Sequence, residues 1–230
     1  MSHFNFGSTV RHVNKDNNTF SNYQSFQLGE HGWAELFKLP NDIVSYLWEC
    51  VDDSHKENCN VKRSLAGNIR SSLMLSDKDN IILSRIIPYI NQDNVIREVS
   101  KNHEGSVLPM MRNLWVNYQY KTEFNPLHWH TGDLSFVIWL KVPYDWENEK
   151  QLDIVSDSNS LDKVGNFVFV WADGSKVQSH VIFMNPNIEG FMCVFPSWLN
   201  HMVYPFYTSD DARVSISGNV EMIPNQSQDT

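Results

Sequence analysis

His128 and His130 stand one residue apart in NPLHWHTGDLSFVIWLKVP, just before a run of strand-forming residues. Side chains two apart on a strand project from the same face, so both imidazoles can aim at one point. A metal ion needs that convergence, and a hydrophobic core does not. His201, in FMCVFPSWLNHMVYPF, lies at a turn between two apolar strand-like segments and supplies a third imidazole. Neutral imidazole suits iron, zinc, copper or nickel, so the three histidines leave the metal open. Further on, RVSIS puts Arg213 and Ser215 on one strand face. A strand arginine is most often a solvated residue with a packed stem. Here it sits among hydrophobic neighbours shortly after a candidate ligand, and its fork can take a carboxylate while the Ser215 hydroxyl adds a hydrogen bond.

Asp133 competes for the ligand set. Three positions after His130 it would face away in a continuous strand, but Thr131-Gly132 can turn the backbone. Two histidines and one carboxylate are the usual non-haem iron arrangement. We take His128, His130 and His201 as the metal ligands and hold Asp133 in reserve, as a turn residue or one that orients a ligand. His3, His12, His31, His55, His103 and His180 have no comparable context and read as structural or surface residues, with His180 next in line. Lys62 and Arg63 read as a solvated loop, and Trp139, Trp171 and Trp198 as core.

The elements that must position these groups follow from pattern. Residues 1 to about 32 are polar, with a candidate edge strand at 23–28. Ile43, Val44, Leu47, Trp48 and Val51 form a helical stripe that Asn41 or Asp42 could cap, followed by a polar connector. IRSSLMLSD is a short strand or loop, and residues 77–99 read as a helix interrupted at Pro88. After Gly105 the period changes. LWVNYQY alternates, SFVIWLKVP suits a buried strand, and residues 144–160 form an acidic loop. FVFVWA, VQSHVIFM, FMCVFP, MVYPFY and RVSISGNV are further short strands parted by turn signals. The fold expected is mainly β with N-terminal helices, an α+β chain built on a jelly roll. We expect a single domain over 1–230: an extension and supporting helices over 1–105, a β core over 106–220, and a polar tail over 221–230.

Composition narrows the function classes. The 230 residues can bury a core without disulfides or a structural metal, and 41% hydrophobic content argues against global disorder. A formal net charge of −9 makes a general nucleic-acid or anionic-membrane binder a poor fit. Three cysteines without zinc spacing fit reduced thiols, and neither a signal peptide nor a membrane span is visible. An intracellular, soluble protein is expected, with its oligomeric state unreadable.

NPLHWHTGDLSFVIWLKVP, VFPSWLNHMVYPF and RVSIS together resemble the 2-oxoglutarate/Fe(II)-dependent dioxygenase superfamily, in particular its small phage and bacterial members. The resemblance covers roughly residues 113 to 220. It implies a double-stranded β-helix, with Fe(II) and 2-oxoglutarate as cofactors. It also implies consumption of O₂, release of succinate and CO₂, and hydroxylation of an unactivated C–H bond. By this resemblance His128 is the first ligand, His201 the distal one, and Arg213 and Ser215 hold the distal carboxylate of the cosubstrate. The departure is His130, where the family places a carboxylate. Asn117 and Tyr118, on the preceding strand, could line the cosubstrate site. The substrate is not implied; a peptidyl side chain, an amino acid, a nucleobase or a sugar would all fit. A phage-encoded protein acting in a bacterial cytoplasm is consistent with the resemblance. The competing readings are a cupin-type metal protein, a three-histidine zinc enzyme, and a jelly-roll binding module without catalysis.

Overall fold

Along β6 (Leu134–Lys141) nearly every residue is buried, yet alternate residues go to different cores. Leu134, Phe136, Ile138 and Leu140 pack into one apolar cluster, and Val137 and Trp139 into another. A strand apolar on both sides can only sit in a sheet covered on both faces. The computed structural model describes residues 21–57, 60–61, 65–99, 107–156 and 161–224. His3, His12, Lys62, Arg63, His103 and the tail after Pro224 lie outside the described residues.

The remaining strands are β1 (Ser21–Leu28), β2 (Gly32–Lys38), β3 (Ser71–Met74), β4 (Val107–Gln119), β5 (Asn125–His128), β7 (Phe167–Asp173), β8 (Lys176–Ile182), β9 (Phe191–Pro196), β10 (His201–Val203) and β11 (Arg213–Pro224). Seven pair in the order β1-β2-β9-β6-β11-β4-β3, and four in the order β5-β10-β7-β8. Every pairing is antiparallel. The protein is mainly β with few helices.

Helix α1 (Asn41–Glu57) lays Ile43, Leu47 and Val51 onto one face of the larger sheet, the spacing of a single helical stripe. Truncating Leu47 to Ala there would cost about 2–5 kcal/mol. Val44 and Trp48 are only partly buried against the same cluster. Asp42 lies inside the first turn and pairs with Arg85 at 3.0 Å, so it favours the helix through charge. The helix runs six residues into the stretch expected to be a connector, with His55 and Lys56 complementing its C-terminal dipole.

Residues 82–86 form a π-helical turn and 87–89, containing Pro88, a 3-10 turn before α2 (Gln92–Val99). Asp77 accepts from the Ile81 and Ile82 amides at 2.8 and 3.0 Å and so starts this segment. The loop expected at 144–160 holds two single-turn helices, α3 (Trp146–Glu149) and α4 (Asp153–Ser156).

Two further differences have physical causes. GWAELFK forms β2 although its Glu35 is charged; the buried carboxylate accepts from Asn91 N and Asn94 Nδ2, which answers its burial. β11 continues to Pro224, four residues into the stretch read as a polar tail, because Glu221–Pro224 keep pairing with Val107–Met110.

The second cluster fills the space between the other face of the larger sheet and the small sheet. Ala34, Leu36, Cys193 and Phe195 meet Phe167, Phe169, Ile182 and Val203 there. On this same face β4 and β11 turn polar: Asn117, Gln119, Arg213, Ser215 and Ser217 replace the apolar residues. The cavity lies at that change.

Candidate active site

The histidine end begins with a strand register. His201 on β10 pairs directly with His128 on β5, and on its other side with Phe169 of β7. Cross-strand partners are near neighbours on one face, and the His128 and His201 ring centroids lie 4.3 Å apart. His130 follows the end of β5, where its backbone N–H donates to Ser197 O at 2.8 Å. That bond returns its ring to the same side, 5.0 Å from His128 and 5.1 Å from His201. One ring nitrogen from each of the three histidines lies within 4.8 Å of the others, an arrangement that could hold a metal ion.

The backbone assigns the tautomers. His128 Nδ1 lies 2.7 Å from Pro126 O and His201 Nδ1 2.9 Å from Leu199 O. A carbonyl only accepts, so each Nδ1 carries the proton and Nε2 keeps its lone pair. His201 is buried among Phe167, Phe169 and Phe195. Burial, then the neighbouring His128 and His130, hold its pKa well below the ordinary range. Burial and His128 bring His130 down to about 4, and burial lowers His128 as well. All three are therefore neutral lone-pair donors at neutral pH.

The other end is organised by Arg213, which is 3% exposed. Its Nη1 donates to Tyr144 Oη at 2.9 Å and to Gly165 O at 3.3 Å, and its Nη2 donates to Gln119 Oε1. A guanidinium has five N–H donors, so one on Nη2 and the one on Nε are left, and buried Nε has no partner. Among the described residues no carboxylate pairs with Arg213. A buried cation without a counter-charge is costly unless a ligand supplies it. Ser215 sits on the same face of β11, paired across to Asn117 and Trp139. Tyr144 also donates to Gly165 O and stacks on Phe206 at 4.3 Å, which fixes the brace behind the arginine.

One cavity joins the two ends and is lined by the three histidines, Arg213, Ser215 and Asn117 among others. Leu65, Ala66, Gly67 and Ile69 form part of its wall, fastened where Asn68 N donates to Phe124 O at 2.9 Å. A Cβ at Gly67 would collide with Asn125 Oδ1, so that side chain would have to shift to admit one.

Two expectations need correction or refinement. Tyr118 is not at the cavity: next to Asn117 on β4 it takes the opposite face, and its hydroxyl lies 2.6 Å from His55 Nε2. Asp133 is buried and its Oδ2 accepts from Met222 N at 2.7 Å, while its backbone bonds Val220 O and Ser197 N. It ties the turn before β6 to β11 and is absent from the histidine cluster. Asn117 lines the cavity and accepts from Ser72 Oγ at 2.8 Å. His180 packs on Phe26 instead, and His55 is taken by Tyr118. Trp139 is core and cavity wall at once, whereas Trp198 is partly exposed and donates to Glu98. Sequence reasoning missed Gln119, Tyr144 and the 65–69 wall. Gln119 was open to detection, two positions after Asn117 on the same strand face.

Comparison with known proteins places this site. Residues 113–219 match the family model described as "Putative 2OG-Fe(II) oxygenase". Among solved structures the chain is similar to a Pseudomonas putida prolyl-4-hydroxylase, at 16% identity over 83% of this chain and 92% of that one, with a TM-score of 0.51. It is also similar to a Trichoplax adhaerens prolyl hydroxylase in complex with a hypoxia inducible factor peptide fragment, at 12% identity over 83% of each chain and a TM-score of 0.48. No curated protein matches. The first structural likeness is one of fold. The chain matches the 2OG-Fe(II) oxygenase family through residues 113–219, a little under half of its length. It is an oxygenase whose cofactors are Fe(II) and 2-oxoglutarate. The residues fit both: a neutral nitrogen donor cluster suits the metal, and a buried arginine with an unpartnered N–H suits the carboxylate. Among the described residues no helix is long and apolar enough to cross a membrane.

Proposed function

We propose that the protein hydroxylates an unactivated C–H bond of its substrate, with His128, His130 and His201 as the iron ligands and Arg213 and Ser215 as the anchor for 2-oxoglutarate. The two antiparallel sheets support reading the core as a double-stranded β-helix within a single domain. The observation that carries the proposal is one cavity with a lone-pair cluster at one end and an uncompensated buried cation at the other. When bound, iron and 2-oxoglutarate supply the oxidant from O₂, with succinate and CO₂ as the co-products.

The chain's own residues do the rest. Carbonyls of Pro126 and Leu199 hold two imidazoles in the tautomer that presents Nε2. Gln119, Tyr144 and Gly165 fix the guanidinium plane, leaving Nε–H for a carboxylate oxygen, with Ser215 on the same side. Phe167, Phe195 and Trp139 exclude water from the histidine end, where a dry site strengthens each electrostatic contact. Three imidazoles also suit zinc, and the unpartnered arginine is what favours the oxygenase over a zinc hydrolase.

The test is anaerobic loading with one equivalent of Fe(II), then addition of 2-oxoglutarate and O₂ without substrate. Slow, iron-dependent succinate formation is expected. No succinate under any condition, with stoichiometric zinc in the purified protein, would sink the proposal.

A further inference from the structure

We infer that Glu149 sets how firmly Arg213 can hold a carboxylate, as an opposing charge built in one residue layer behind the guanidinium. The inference rests on the cosubstrate reading above and deepens it. Glu149 ends α3 and is fully buried. Its Oε2 accepts from Tyr207 N at 2.8 Å, and its Oε1 from Thr208 N at 3.0 Å and from the Thr208 hydroxyl. Those hydrogen bonds steady the charge without cancelling it, and among the described residues no cation pairs with it. The other acids near Arg213 are answered. Glu123, behind Gln119, pairs with Arg70 at 3.0 Å. Asp210 and Asp211 are exposed and pair with Lys121 and Lys141.

Gly165 and Tyr144 form the layer between the two buried charges. Gly165 O accepts from Arg213 Nη1 at 3.3 Å, and Tyr144 Oη accepts from the same nitrogen at 2.9 Å. A Cβ on Gly165 would stand 2.9 Å from the Tyr144 ring and 3.4 Å from Glu149 Cγ, so the three residues are packed together. Burial raises the Tyr144 pKa, Arg213 draws it down and Glu149 pushes it up, so both charges reach one hydroxyl. An effective dielectric of about 20 inside a protein, rather than about 80 in water, lets a charge act across such a layer. Glu149 therefore eases the burial of Arg213 before cosubstrate binds and resists a carboxylate that arrives. 2-Oxoglutarate and its co-product succinate both carry the distal carboxylate, so Arg213 cannot tell one from the other. A moderated grip lets the product leave.

A role as a clamp alone predicts the opposite sign. Glu149 holds the amides of Tyr207 and Thr208, next to the Phe206 ring that stacks on Tyr144 at 4.3 Å. Losing a clamp would loosen Tyr144 and weaken carboxylate binding, whereas losing an opposing charge strengthens it. 2-Oxoglutarate and 2-oxopentanoate share a carbon chain and a 2-oxo acid end and differ in the distal carboxylate. Their affinity ratio, read by anaerobic calorimetry on the Fe(II)-loaded protein, therefore reports the grip at Arg213. Glu149→Gln should raise that ratio at least about threefold, and succinate should tighten along with 2-oxoglutarate. If that variant does not fold, Thr208→Lys sets an ammonium beside the carboxylate from an exposed position and should raise the same ratio. A ratio unchanged or lowered in the folded variant would overturn the inference and leave the oxygenase reading intact. Wild-type protein that binds 2-oxoglutarate no better than 2-oxopentanoate would instead remove Arg213 as the anchor, and this inference with it.

Discussion

The histidine end of the cavity rests on the short strands β5 and β10 and on the turn after β5. Arg213 and Ser215 sit on β11, with β4 along one side and β6 along the other. At the first end, side-chain geometry depends on a few backbone bonds, from Pro126 O, Leu199 O and Ser197 O. At the second, the backbone is held by two neighbouring strands, and the side chain is held by residues far apart in sequence. The difference teaches which losses should be all-or-none and which graded. A metal needs all its donors at once, while a carboxylate site can lose strength by steps.

The largest expected effect tests that asymmetry. His201→Ala and His130→Ala should each abolish stoichiometric metal binding after anaerobic loading, as read by elemental analysis. Full metal retention in either variant would take that residue out of the ligand set. Next, Arg213→Ala should keep its metal and weaken 2-oxoglutarate at least about a hundredfold, since removing one partner of a buried charge pair costs about 3–5 kcal/mol. Arg213→Lys should recover part of it, because an ammonium lacks the planar fork. Calorimetry decides, and an unchanged affinity in Arg213→Ala would free the carboxylate from this end.

Smaller effects sharpen the boundary between the two ends. Asp133→Ala should keep both metal and 2-oxoglutarate but lose about 1–3 kcal/mol of stability, the cost of leaving a buried donor such as Met222 N unsatisfied. Denaturant unfolding measures it; loss of metal instead would return Asp133 to the ligand set. The smallest change is Tyr118→Phe. Its hydroxyl meets only an exposed His55 in the described contacts, so stability should stay within about 0.5 kcal/mol and 2-oxoglutarate affinity should not move. A tenfold weaker cosubstrate would place Tyr118 back at the cavity.

Much of the site was legible because it follows strand period. Arg213 and Ser215 lie two apart on β11, and that spacing alone places them on one face. His128 and His130 are also two apart, but His130 follows the end of β5 and is brought back by its bond to Ser197 O. The same rule separates Asn117 from Tyr118, which stand one apart; taking both for the cavity went against it. The brace on Arg213 was hidden for another reason. Tyr144 and Gln119 lie 69 and 94 residues away in sequence, and local pattern says nothing about such pairs. β2 was missed because Glu35 breaks its apolar character, and its partners on the far side of the chain, Asn91 and Asn94, come with the tertiary fold. β6 and β9 were the easiest to place, because burial on both faces leaves little room for polar residues.

The register between β5 and β10 also bears on how this protein can change over generations. Around His128 and His130 the intervening residues Leu127 and Trp129 point outward and are 52% and 60% exposed. Inserting or deleting one residue in this stretch would exchange the two sets, turning imidazoles to solvent and an indole toward the cavity. Point substitutions can tune the site in small steps, but a single-codon insertion or deletion here crosses a cliff. Lineages of this chain should accept length variation after β6 or beyond β11 and none between Pro126 and Thr131.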